Sequence, residues 1–300
     1  MNVKLTPKQI AVLADVVRFK LLSTRQIGEL HFDLAEKPET TAPANLMRKL
    51  KMAGCVKSAY APLTSTETDT PTRPSAVWFV PPDSLKVIRR VLVEQGRASE
   101  WEAIEATATT INKDQRFAEQ SLRHEVGISD VLMALERQVR GLPGFELAFA
   151  LRTSPRHEDI STTIEIKKTR TITDGKTKEL REREFRQKTT VNPDLFFAIQ
   201  YPDKTFGFFF GEYDNDTSNE AKFFEKLEGY HVYQSRGLFE PVARTFAERY
   251  ALPIKDFTGA SFRVVTIVNS KTNPIRRRNS LFSRSLLLPT NRFYLSLIHI

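Results

Sequence analysis

The 300-residue sequence holds a single cysteine, Cys55. That scarcity excludes an intrachain disulfide framework, argues against a thiolate zinc site and suits a reducing compartment. No apolar run is long enough to span a bilayer, and the N-terminal stretch around Lys4 and Lys8 lacks the apolar segment of a secretion signal. The five histidines show no zinc spacing such as His-Glu-x-x-His. No internal repeat and no glycine-rich phosphate loop is found. Acidic residues are missing altogether from 257–300, which carry Arg263, Lys271, Arg276, Arg277, Arg278, Arg284 and Arg292. These absences predict a cytoplasmic protein without membrane contact.

What is present is material for a core and an uneven positive charge. Hydrophobic residues make up 40% and charged residues 27%, an ordinary globular balance for two domains. The net charge is +9, and residues 1–60 contribute ten Lys/Arg against five Asp/Glu. Basic ends with an acidic cluster between them fit a polyanion lying across the protein.

Residues 1–82 read as a winged helix-turn-helix domain. Thr6-Pro7-Lys8-Gln9 has the form of a capping box with proline in the first turn, and Ile10, Leu13, Val16 and Val17 follow at helical spacing. Ser23-Thr24-Arg25-Gln26 repeats the start signal for a short second helix carrying Ile27 and Leu30. A third helix is predicted from Thr41 to Ala53, with Leu46 and Leu50 inward and Gly54 as its stop. Its outer side carries Asn45, Arg48, Lys49 and Met52, with Lys51 near the edge. Strands at Val56–Tyr60 and Ala76–Val80 then flank a Thr- and Pro-rich loop holding Arg73. In such a module the third helix enters the major groove and the ribbon touches the backbone. Asn45 and Arg48 are the candidates for base edges; Lys49, Lys51, Lys57 and Arg73 are candidates for phosphate. The alternative is a protein-contacting winged helix with a solvated basic side.

Residues 83–115 read as a helical linker with a polar hinge at Asn112–Gln115, and residues 116–295 as a second domain. Phe117–Arg140 has the period of a long helix, with Glu125 at the edge of its apolar stripe. Beyond Gly141-Leu142-Pro143-Gly144 the pattern changes to strands, including a charged hairpin turning at Asp174-Gly175. Thr217-Ser218-Asn219-Glu220 opens a helix with Phe224, Leu227 and His231 on one side and Lys222, Lys226, Tyr230 and Tyr233 towards another. A helix at Pro241–Tyr250, a strand at Phe262–Ser270, a basic helix whose Arg276, Arg277 and Arg278 are further candidates for DNA phosphate, and a last strand near Arg292–Leu295 complete the order. The fold class is mixed α/β, with helices layered on a sheet. Ser296–Ile300 follow no usable pattern, so whether they are native or a foreign extension is left open and no function is placed there.

Two apolar strands, around Pro193-Asp194-Leu195-Phe196 and Phe210-Gly211-Glu212-Tyr213-Asp214, are joined by a Tyr-Pro-Asp-Lys turn. A three-residue loop, Pro202–Lys204, sets Asp194 opposite Glu212, and the period of two puts Asp214 on the same face. Carboxylates gathered on an otherwise apolar sheet require pairing or a metal ion.

These residues carry a resemblance. The winged helix, Leu122-Arg123-His124-Glu125-Val126 with Asp130, Pro193-Asp194, the Phe-Phe-Gly-Glu-Tyr-Asp stretch and Lys226-Leu227-Glu228-Gly229-Tyr230 together resemble the replication-relaxation family. Its members are associated with plasmid replication and relaxation of plasmid DNA, commonly in mobile elements. The resemblance implies double-stranded DNA as ligand and replication or mobilisation proteins as partners. Its C-terminal part is similar in turn to the restriction-endonuclease-like PD-(D/E)xK fold. That similarity implies magnesium held by Asp194 and Glu212, with Glu125 and Asp214 as further candidate ligands. The lysine expected two places after Glu212 is Asp214, so Lys226, or Lys222 nearer the helix start, is the candidate replacement in a catalytic set of Asp194, Glu212 and Lys226. The readings left open are a DNA-binding replication protein, a magnesium-dependent endonuclease, and a transcriptional regulator with a catalytically degenerate second domain.

Overall fold

The computed structural model describes residues 4–32, 41–61, 75–108, 119–153, 160–173, 180–214, 220–269, 273–285 and 293–296. The Arg73 loop, the Asn112–Gln115 hinge, the Asp174-Gly175 turn, the cap residues 217–219, Arg292 and residues 297–300 lie outside them. The fold is mixed α/β, and the chain divides into two compact units between Gly141 and Leu142.

The first unit opens with α1 (Pro7–Arg18), β1 (Leu22–Ser23), α2 (Thr24–His31) and α3 (Ala42–Met52), followed by β2 (Lys57–Ala61) and β3 (Ser75–Phe79). Both expected capping boxes are made: Thr6 with Gln9 and Ser23 with Gln26 exchange side-chain and backbone hydrogen bonds. The strands form an antiparallel sheet in the order β1-β3-β2, with Leu22 paired to Trp78 and Ser58 to Trp78 from the other side. Leu13, Val16, Leu22, Ile27, Met47, Leu50 and Val77 are all fully buried. On α3 the inward residues are Pro43, Met47 and Leu50, so Met47 takes the place expected of Leu46, which is half-buried. Steps of three and seven back from Leu50 reach Met47 and Pro43, and Leu46, four back, falls at the edge of that stripe.

The unit is completed by α4 (Pro82–Glu94), α5 (Ala98–Ala108) and α6 (Glu119–Arg140). The expected domain limits at 82 and 116 differ from the observed division, because α6 stays with the N-terminal elements. Leu122 and Val126 share a buried cluster with Leu21 and Val77. Polar contacts add to it: Lys20 Nζ donates to Glu125 at 2.8 Å, and Arg25 and Gln26 both donate to Asp130 at 2.6 and 2.8 Å. Arg18 binds Glu136, and Ser129 Oγ donates to the Leu21 carbonyl at 3.0 Å.

The second unit is built on a five-stranded sheet in the order β10-β9-β8-β7-β4. Its strands are β4 (Glu146–Arg152), β7 (Leu195–Gln200), β8 (Phe206–Asp214), β9 (Phe262–Val268) and β10 (Phe293–Ser296); a separate antiparallel ribbon joins β5 (Thr162–Thr173) and β6 (Leu180–Val191). Strands β4, β7 and β8 run antiparallel, whereas β9 is parallel to both β8 and β10. The parallel steps require crossovers, made by α7 (Glu220–Ser235) with α8 (Phe239–Arg249) and by α9 (Pro274–Ser285). Ser296 pairs with Ile267 as the end of β10, so it belongs to the sheet. Phe149, Phe196, Phe208, Phe210, Tyr230, Phe239, Phe246 and Phe262 pack together, with ring centroids such as Phe210–Phe262 4.3 Å apart. The buried residues of α7 are Phe223, Leu227, Tyr230 and Tyr233, not Phe224 and His231, which are half-buried.

Candidate functional site

The carboxylate pair arises from the β7–β8 hairpin. Tyr201 N donates to the Thr205 carbonyl at 2.9 Å and closes a loop of Pro202–Lys204. Leu195 then pairs with Gly211, and one further step of the register sets Asp194 opposite Glu212. The Asp194 backbone N–H donates to Gly211 O at 3.0 Å, while its carbonyl accepts from Thr153 N at 3.1 Å. Its Oδ2 accepts the Tyr213 amide at 2.8 Å. Asp194 is thereby fixed at three points on the strand next to Glu212.

Glu212 points to the aromatic core face and is only 5% exposed. Lys226 and Tyr230, four residues apart on α7 and hence on one side of it, bind separate oxygens: Lys226 Nζ donates to Oε2 and Tyr230 OH to Oε1. Gly229 lets α7 sit close to β6, since a Cβ there would lie 2.7 Å from Thr189 Cγ2. Burial pushes the Glu212 carboxyl up to about 7, with the Asp194 charge adding to the shift and Lys226 and Tyr230 opposing it. Burial alone would depress the Lys226 ammonium, but the charges of Glu212 and Asp194 leave it above its ordinary value. Burial and the adjoining Glu212 also raise the Tyr230 phenol well above its ordinary value. Tyr230 is therefore a neutral donor that orients Glu212. Its place as a Glu212 ligand is foreshadowed in sequence only by its spacing from Lys226.

The other expected ligands go elsewhere. Asp214 is buried, and Arg277 on α9 grips it with Nε to Oδ2 at 2.7 Å and Nη2 to Oδ1 at 3.1 Å. This corrects two expectations, since Asp214 is neutralised within the fold and Arg277 is turned inward instead of towards phosphate. Glu125 belongs to the first unit, where it meets Lys20. Arg276 is exposed, and Arg278 is half-buried with its guanidinium on Asn279 Oδ1. Lys222 is exposed. Among the described residues no group of three or more His, Cys, Asp or Glu is arranged to hold a metal ion. Asp194 and Glu212 are the acids whose adjacency and oxygen chemistry suit a hard divalent cation, which commonly takes one or two carboxylates and fills its shell with water.

A second candidate surface lies in the first unit. With Met47 and Leu50 buried, α3 presents Asn45, Arg48, Lys49 and Met52 to solvent along one side, with Lys51 beside them. The helix contains no acidic residue. Arg48 Nη1 donates to Asn45 Oδ1 at 3.2 Å, and Lys51 Nζ to Ser58 Oγ at 2.8 Å, joining helix to ribbon. Lys57 is exposed on β2.

Comparison with protein families matches residues 13–248 to the replication-relaxation family. No curated protein and no solved structure matches the chain. The match spans most of the 300 residues, from α1 through Lys226 and Tyr230 to the end of α8, so the chain belongs to that family and has a replication-related role.

Proposed function

We propose that this replication-relaxation protein binds double-stranded DNA through a winged helix-turn-helix in its first unit, acting in the cytoplasm on plasmid or mobile-element replication. The observation that carries this reading is the acid-free outer side of α3, where Asn45, Arg48, Lys49 and Lys51 stand clear of a core anchored by Met47 and Leu50. Asn45 and Arg48 have the donors and acceptors to read base edges in a major groove, while Lys49, Lys51 and Lys57 supply phosphate contacts. Replication or mobilisation proteins are the protein partners this role calls for. Fluorescence anisotropy with labelled duplex DNA tests it. The intact chain binds duplex, and Arg48→Ala with Lys49→Ala weakens binding by tenfold or more; equal affinity of the two proteins removes the reading.

A second reading, metal-dependent nicking of DNA, is favoured by one contact: Lys226 rests on Glu212 beside Asp194, supplying the lysine that position 214 lacks. Asp194 and Glu212 would hold magnesium, and their mutual repulsion marks an excess of negative charge that a cation relieves. Bound there, the ion would activate water and offset charge on the scissile phosphate. Lys226 and Tyr230 hold the Glu212 carboxylate in a single orientation. Supercoiled plasmid incubated with protein and magnesium distinguishes the two readings. Nicking lost in Glu212→Gln and in Lys226→Met supports the enzyme, and binding without scission leaves the DNA-binding role alone.

A further inference from the structure

The α3 stripe ends in a residue that the polar reading leaves unused. Met52 is 87% exposed at the last position of α3, three residues beyond Lys49 and seven beyond Asn45. Seven residues span about 10 Å along a helix axis, on the order of three base-pair steps. Tyr60, 67% exposed on β2, stands two residues beyond Ser58 and so on the same ribbon face as the hydroxyl that Lys51 reaches. Two large apolar side chains are thus held in water at the edge of a cationic surface.

We infer that Met52 meets the C5-methyl group of a thymine in the major groove, with Tyr60 lying against the neighbouring sugar–phosphate backbone. The inference rests on the DNA-binding reading above and adds to it the base that the apolar end of the stripe recognises. Thymine alone offers a methyl group on that edge, and an unbranched thioether adapts its shape to such a contact. Arg48 and Lys49 precede Met52 by four and three residues and so share its side of α3, Lys51 adjoins it, and α3 has no acid to set against them. Charge complementarity therefore favours DNA over a second copy of this chain, whose like-charged patch would be repelled.

The test uses the full chain and duplexes recovered by selection from a random pool, resynthesised with deoxyuridine in place of thymidine. Wild type loses about fourfold in affinity for each contacted methyl group removed. Met52→Gln binds both duplexes alike, and Asn45→Ala keeps the thymine preference while binding less tightly. Equal affinity of wild type for the two duplexes, or a preference that survives Met52→Gln, overturns the inference while leaving DNA binding intact. Failure to bind any duplex removes the DNA reading itself. Loss of self-association in Met52→Gln with Tyr60→Ser at unchanged duplex affinity assigns the patch to protein contact and also overturns it. Both side chains are exposed, so these variants keep the fold.

Discussion

The outer side of α3 in the first unit and the carboxylate strands of the second place their charges in opposite ways. In the first, Arg48, Lys49 and Lys51 stand in water on a helix whose inward side is fully apolar. In the second, Glu212 and Asp214 are buried in the sheet and each is met by a cation from a helix, Lys226 or Arg277. Exposed charges cost the fold almost nothing and remain available to a polyanion. Buried ones must be matched by the fold, and any chemistry they perform is held in fixed orientation at the expense of stability. The same residue types are therefore exposed to solvent on α3 and locked into a preset carboxylate centre on the sheet.

The sharpest way to break this contrast is to remove a buried partner. Arg277→Met strands Asp214 and is expected to cost about 3–5 kcal/mol, read as a lower urea midpoint; Arg277→Met with Asp214→Asn recovers most of it. A loss within the range of ordinary surface changes contradicts the burial argument. Gly229→Ala should cost about 1–3 kcal/mol, because the added methyl meets Thr189 and forces α7 away from β6; Gly229→Ala with Thr189→Ser relieves part of it.

Glu212 sharpens the comparison through pH. Its carboxyl holds a proton up to about 7 in the folded chain but only to about 4.5 when unfolded. The stability this group contributes is full below the unfolded value and is lost as pH rises through 7. Glu212→Gln should flatten that decline between pH 4.5 and 7 by roughly 1–3 kcal/mol, measured from denaturant midpoints across the range. An unchanged profile sinks the assignment. The smallest expected effect lies in the other unit. Arg48→Ala with Lys49→Ala should shift folding stability by less than about 0.5 kcal/mol, and a larger loss would show that the stripe is structural.

Local signals carried much of this arrangement in the sequence. The capping boxes at Thr6 and Ser23 and the loop at Pro202–Lys204 depend on residues three to five apart, so their chemistry is readable in a short window. The loop length fixed the register that sets Asp194 against Glu212. Pairings between distant segments were not readable. Arg277 reaches Asp214 across 63 residues, and Lys20 meets Glu125 across 105. No periodicity announces such partners, so Asp214 read as a metal ligand and the helix at 119–140 as the start of the second domain. The exchange of Leu46 for Met47, and of Phe224 for Phe223, has a different cause. Adjacent apolar residues on a helix compete for the inward position, and tertiary packing decides between them. A strand as short as Leu22–Ser23 offers no alternation to detect.

If the outer side of α3 engages DNA through its cations, duplex affinity must depend on salt, and that dependence is the most direct test. The logarithm of the binding constant should fall linearly with the logarithm of salt concentration. A protein carrying Lys49→Ala and Lys51→Ala should show a slope shallower by about 1.8, because two phosphates are no longer neutralised. Identical slopes for this variant and wild type, or affinity indifferent to salt, would contradict the account.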